Sequence, residues 1–162
     1  MSVLALSIGS NIDPVNNIQA AVKLLRAEFG GITLSRVYES EAVGFEGENF
    51  MNLAAVVDCA EPLERVLDAL KNVENQLGRD RAQPKFSGRT MDVDILFYGE
   101  STGAECGLAL PRAEITENAF VLLPLSELLP QAIHPTTKLT YAQLWQQYDK
   151  SKQKLWPIEF EF

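Results

Sequence analysis

Two carboxylates separated by one residue, Asp92 and Asp94, are the side chains of this chain best placed to do chemistry. They sit in the run Met91 to Tyr98, whose alternation predicts a strand, with Met91, Val93, Ile95 and Phe97 facing one way and Asp92, Asp94, Leu96 and Tyr98 the other. On a strand, residues i and i+2 point to the same side. The two acids then stand about 7 Å apart, at roughly 3.4 Å of rise per residue. Such a pair can hold one or two magnesium ions, which want hard oxygen ligands and take few of them from the protein. Taken alone, an Asp-x-Asp is more often two solvated carboxylates on an exposed strand face.

The preceding segment adds charge of the opposite sign. Arg79, Arg81, Lys85 and Arg89 lie close together, opposed only by Asp80. Arginine presents a planar fork that matches phosphate oxygens, and lysine supplies a point charge. Cations beside paired carboxylates fit a metal-bound polyphosphate, although a solvated charged loop has the same composition. A third feature is Phe50 with Asn52, which share one face of a strand predicted over Phe50 to Cys59. A ring and an amide side by side can stack on a flat heterocycle and hydrogen-bond its edge. They can equally be a half-buried ring and a structural amide. His134, the single histidine, precedes Pro135 in a predicted loop and reads as structural.

The elements that must position these groups follow from periodicity. Val3 to Ile8 is an apolar run of strand length. Asp13 is expected to cap a helix with Pro14 in its first turn and a stripe at Val15, Ile18, Val22, Leu25 and Phe29, ended by Gly30-Gly31. Ile32 to Glu39 predicts a second strand. Pro62 opens a second helix with the stripe Leu63, Val66, Leu67, Leu70, Val73 and Leu77, closed by Gly78. The order β-α-β-β-α-β is the ferredoxin-like pattern. The fold expected is α+β, a four-stranded antiparallel sheet with both helices on one face. C-terminal helices follow. One is expected within Ile115 to Leu129, broken near Pro124. Another is expected over Tyr141 to Tyr148, with Thr140 and Gln143 as a capping box. The aromatic tail from Trp156 to Phe162 is assigned to no element. With the apolar faces of the strands given to the helices, Phe50, Asn52, Asp92 and Asp94 all project from the opposite face.

Composition bounds the partners. The 162 residues suit one domain, 1–162, and carry a formal net charge of -8. An acidic chain is a poor general binder of nucleic acid or of an anionic membrane. Two cysteines, Cys59 and Cys106, are too few for a disulfide framework or zinc site. No apolar stretch approaches the ~20 residues of a spanning helix, and the first apolar run has no basic residues before it. A cytoplasmic protein is expected, with no nucleic-acid and no membrane partner.

The chain resembles the 6-hydroxymethyl-7,8-dihydropterin pyrophosphokinase family of folate biosynthesis. The resemblance runs from about Val3 to Pro135. It rests on Ile8-Gly9-Ser10-Asn11, Val37-Tyr38-Glu39-Ser40 with Val43-Gly44, and Phe50-Met51-Asn52. It continues in Leu77-Gly78-Arg79, Gly88-Arg89-Thr90-Met91-Asp92-Val93-Asp94-Ile95-Leu96 and Phe120-Val121-Leu122-Leu123-Pro124-Leu125. It implies an enzyme that moves the diphosphate of ATP onto the pterin hydroxymethyl group and releases AMP. By position, Asp92 and Asp94 would hold two magnesium ions, and Arg79 and Arg89 would act on the transferring diphosphate. Glu74, Arg81, Lys85 and Arg112 would attend ATP. Ser40, Val43, Phe50, Asn52 and Phe120 would form the pocket for the reduced pterin, with its ring between the two phenylalanines.

Several positions depart from the family pattern. Lys85-Phe86-Ser87-Gly88-Arg89 replaces Arg-Trp-Gly-Pro-Arg, Ala42 replaces a proline, Pro111-Arg112 replaces Pro-His, and Asn118 stands where an arginine is usual. Lys85 and Arg112 keep positive charge with different geometry. These changes leave open a catalytically weak paralogue that binds a pterin or ATP in a regulatory role, and the fold alone would also permit an interaction module with no small-molecule chemistry.

Overall fold

The computed structural model describes residues 2–41, 49–77 and 91–162. In chain order the elements are β1 (Ser2–Ser10), α1 (Pro14–Phe29), β2 (Thr33–Leu34), β3 (Val37–Ser40), β4 (Phe50–Cys59), α2 (Leu63–Gln76) and β5 (Asp92–Tyr98). There follow β6 (Gly103–Glu105), β7 (Leu108–Leu110), α3 (Glu114–Glu117), α4 (Ala119–Leu128), α5 (Tyr141–Gln147) and β8 (Leu155–Ile158). The main sheet is antiparallel and runs β5-β1-β4-β3-β8, with β2 also on β4, and β6-β7 form a separate pair.

Alternation splits the sheet into two faces. Leu4, Leu6 and Ile8 of β1, Leu53, Ala55 and Val57 of β4, and Val93 and Ile95 of β5 join the buried residues of α1 and α2 in one core. Ala5, Leu96 and Phe97 face the other way and meet Ile115, Val121, Leu122, Leu125 and Tyr141 of the C-terminal helices. Burying an aliphatic side chain contributes about 1.5–3 kcal/mol, so the stripes of α1 and α2 hold them to the first face. The stripe on α1 is shorter than its spacing suggests, because Val15 is 44% exposed while Ile18, Val22 and Leu25 are buried.

The structure corrects the sequence reading in several places. The sheet has six strands where four were expected, because the C-terminal segment adds β8 at the outer edge and Ile32 to Glu39 forms two strands, β2 and β3, in place of one. Leu34 pairs with Ala55 but Tyr38 with Asn52, so one extra residue is absorbed between them. Ser35 is responsible: its hydroxyl accepts the Ala54 N–H at 2.9 Å, and its own N–H donates to Ala54 O. Asp13 precedes α1 with a φ of 43° and makes no side-chain cap. Its carboxylate accepts instead from Nδ2 of Asn16. The helical break falls at extended Asn118, and Pro124 lies within α4. The expected capping box of Thr140 and Gln143 is present.

A bulge in β5 has the largest consequence. Leu6 pairs with Ile95 and Ala5 with Phe97, leaving Leu96 as the extra residue. A bulged residue shifts the pleat by one. Phe97 thus turns to the same face as Leu96, against the strict alternation expected, and stacks on Tyr141 with centroids 5.9 Å apart. Such a contact is worth about 0.5–1.5 kcal/mol beyond its area and anchors α5.

Candidate functional site

Among the described residues, the apolar end of the second face packs against α4 and α5, whereas its other end carries small or polar residues. Pairing across the strands places Asp92 beside Gly9, Gly9 beside Asn52, and Asn52 beside Tyr38 in one row. The next row holds Asp94, Ser7 and Ala54. Over these rows lies a cavity of about 400 Å³ that gathers Ser40, Phe50, Asn52, Asp92, Asp94, Arg112 and Phe120, all of them named by the sequence. Glu74 is not in the cavity wall; its carboxylate accepts the N–H of Val93 at 3.3 Å, between the two aspartates. Val43, Arg79, Arg81, Lys85 and Arg89 lie outside the described residues, as does Gly78.

Gly9 explains the first motif of the chain. A Cβ there would lie 2.6 Å from Oδ1 of Asn52, so only glycine lets the Asn52 amide lie across β1. The amide is held from the other side by its Nδ2 donating to the Ser40 hydroxyl at 3.1 Å. Asn52 is 4% exposed and Ser40 3%. A buried amide in a fixed orientation offers a defined hydrogen-bonding edge beside the Phe50 ring.

The two aspartates form the charged end. Asp94 hydrogen-bonds Asp92, and its pKa is pushed up to about 7, first by burial and then by the neighbouring charge of Asp92. Arg112 works against that rise. Its backbone N–H donates to Leu96 O at 2.9 Å, at the bulge, which brings its guanidinium near the pair. The guanidinium bonds Glu114 through Nε at 3.1 Å, and both carboxylates of the pair help raise its pKa. A close acidic pair that retains a proton near neutrality suits a hard divalent cation. Among the described residues, no group of three or more metal-ligating side chains is present.

Sequence reasoning did not single out Ser7, Glu41, Leu96, Glu114 or Val121, which also line the cavity. Ser7 has a signal in hindsight: it is the polar residue between Leu6 and Ile8 on the face that carries Gly9. Glu114 has none, since its partner is set by the loop after β7. On the far side of the wall, Tyr38 donates to Glu127 at 2.8 Å and Arg36 bonds both, which fastens α4 to β3.

Residues 5–130 match the family of 7,8-dihydro-6-hydroxymethylpterin-pyrophosphokinase, HPPK. The chain belongs to this family. A Synechocystis sp. protein named 2-amino-4-hydroxy-6-hydroxymethyldihydropteridine pyrophosphokinase is 31% identical over 94% of this chain and 78% of its own length. A Haemophilus influenzae protein of the same name is 28% identical, covering 94% of this chain and 97% of its own length. Among solved structures, wild-type Plasmodium falciparum HPPK-DHPS superposes with a TM-score of 0.71 at 16% identity, over 91% of this chain. The aligned part is 43% of that longer protein, and the likeness speaks to the fold. HPPK membership makes the chain a pyrophosphokinase of folate biosynthesis.

Proposed function

We propose that this protein transfers the diphosphate of ATP to the hydroxymethyl group of 6-hydroxymethyl-7,8-dihydropterin and releases AMP. The observation that carries the reading is one cavity lined by two chemically different sets of groups. Phe50, Asn52 and Phe120 line it together with Asp92, Asp94 and Arg112, and Gly9 of β1 stands between Asn52 and Asp92 in the sheet. A flat heterocycle fits between aromatic rings with the Asn52 amide at its edge. Its hydroxymethyl arm then points along the sheet toward the acidic pair.

No side-chain nucleophile is needed. The substrate hydroxyl oxygen bonds to the β-phosphorus as the bond from that phosphorus to the oxygen of AMP breaks, and the hydroxyl proton is released. The protein contributes position and charge neutralisation. Asp92 and Asp94 would hold magnesium, two ions in our reading, which when bound offsets charge on the phosphate oxygens. Arg112 supplies a fixed positive charge beside them. Arg79, Arg89, Arg81 and Lys85 complete the cationic side in this proposal, supported by their sequence context. Val43 is assigned to the pterin pocket from its sequence context alone, and Glu74 bonds the strand that carries the aspartates. We further assign residues 1–162 to one domain and the core to the ferredoxin-like class. The strand order β5-β1-β4-β3 and the placement of α1 and α2 on one face support the class. A cytoplasmic setting belongs to the same reading, with soluble small molecules rather than nucleic acid or membrane as partners. No helix among the described residues is long and apolar enough to cross a membrane.

The test is AMP formation with magnesium, ATP and 6-hydroxymethyl-7,8-dihydropterin. Stoichiometric AMP and pterin diphosphate are expected. Asp94→Ala abolishes turnover, while Phe50→Ala mainly weakens pterin binding. No AMP above an enzyme-free control, with pterin binding retained by calorimetry, would sink the reading.

A further inference from the structure

Gln153 lies between α5 and β8 and does not line the cavity. Its side-chain amide bonds twice to the start of α4. Oε1 accepts the Ala119 N–H at 2.8 Å, and Nε2 donates to Oδ1 of Asn118 at 3.0 Å. Asn118 occupies the N-cap position in extended conformation, yet its own side chain makes no capping bond. Asparagine is favoured there because its oxygen takes a backbone N–H of the first turn. Here Gln153 engages that oxygen and caps the helix from a distant part of the chain. Two residues later, Leu155 pairs with Ser40. One short stretch therefore touches both walls of the cavity: the helix wall with Asn118 and Phe120, and the strand wall ending in Ser40.

The orientation of Asn118 follows from these bonds. With its oxygen taken by an N–H of Gln153, its NH2 is the end left for another partner. We propose that Gln153 is a positioning residue that presents the Asn118 NH2 to the cavity as a donor and holds the first turn of α4 so that Phe120 keeps its place. The acceptor is an oxygen of the bound ligand, on a phosphate or on the heterocycle. The inference rests on the substrates proposed above.

Gln153→Glu separates this role from a purely structural one. A carboxylate still accepts the Ala119 N–H but offers none to Asn118, so the Asn118 amide turns its NH2 away from the cavity. Wild type and variants are titrated by calorimetry with 6-hydroxymethylpterin, and separately with magnesium and α,β-methylene-ATP, with melting temperatures recorded. Gln153→Glu is expected to melt within a few degrees of wild type and to bind one ligand about three- to tenfold more weakly, the span of a single neutral hydrogen bond. The ligand affected identifies the acceptor oxygen. Asn118→Asp, which keeps an oxygen for Gln153 and turns an acceptor to the cavity, is expected to weaken the same ligand. In an Asn118→Ala background, Gln153→Glu should cost less than about twofold, since the two residues act as one unit. Binding of both ligands by Gln153→Glu and Asn118→Asp within about twofold of wild type overturns the proposal. So does a Gln153→Glu loss that persists undiminished in the Asn118→Ala background. Failure of the wild type to bind either ligand overturns the substrate reading itself.

Discussion

Asp94 hydrogen-bonds Asp92 from the next position on the same face of β5, and burial together with that neighbouring charge lifts its pKa from an ordinary 3.8 to about 7. The metal-free fold therefore binds a proton at Asp94 that the unfolded chain has already released. The sign follows: its contribution to stability falls as pH rises from about 4 through 7. A cation at the pair must displace that proton. Binding of magnesium and α,β-methylene-ATP should strengthen between pH 6 and 8, read by calorimetry or melting temperature. Asp94→Asn should remove both the metal response and the loss of metal-free stability in this range. An affinity independent of pH would argue against Asp94 as a ligand.

Gly9→Ala is expected to be far more costly than an ordinary surface substitution. The new Cβ would meet Oδ1 of Asn52 at 2.6 Å. Either the amide moves, breaking its bond to Ser40, or β1 and β4 separate locally. Overpacking of this kind destabilises by about 1–3 kcal/mol. Chemical denaturation measures that loss, and pterin titration should show weaker binding even where the fold survives. A variant as stable as wild type with unchanged pterin affinity would mean that the amide is not held where the structure puts it.

Arg112 offers a test of the charged end. Its guanidinium is fixed by Glu114 and raised in pKa first by that bond. Arg112→Ala should weaken binding of the magnesium-bound nucleotide by roughly tenfold or more, in line with about 1.5–3 kcal/mol for a hydrogen bond to a charged group. Arg112→Lys should recover only part of it, since lysine lacks the planar fork. Pterin affinity measured alone should change little in either variant.

His134 makes a separate, structural prediction. Its Nδ1 accepts the N–H groups of Thr136 and Thr137 at 3.2 and 3.1 Å, and burial holds its pKa below the ordinary 6.5. The neutral ring is the folded form. Its stabilisation is complete above the unfolded pKa and is lost as pH falls below it, because the unfolded chain takes up the proton first. The melting temperature of the wild type should therefore drop between pH 6.5 and 5 by more than that of His134→Gln. Equal slopes for the two proteins would contradict the role.

Much of this was legible from residue order, where the physics is local. Alternation along Phe50 to Cys59 and Met91 to Leu96 follows from the pleat, in which neighbouring side chains must face opposite ways. That alone brings Phe50, Asn52, Asp92 and Asp94 to one face once two helices claim the other. The stripes of α1 and α2, and the capping box of α5, are likewise set by contacts within a turn or two. The motifs carried the family and the chemistry of the pair.

Contacts between distant segments decided the rest. The bulge at Leu96 depends on how β5 meets β1, and it turns Phe97 toward Tyr141, against the alternation of its own strand. Asp13 has the right residue type for a cap but a left-handed backbone, so the local preference gave way to the path of the chain. The tail has no periodicity to read, yet it becomes β8 because the edge of β3 offers unpaired backbone groups that a strand can satisfy. The bond between Gln153 and Asn118 spans 35 positions. Sequence alone determined which groups could bind a metal-bound phosphate and a flat ring. Tertiary structure decided how those groups are held, since the orientation of an amide or guanidinium depends on partners that only folding brings within hydrogen-bond reach.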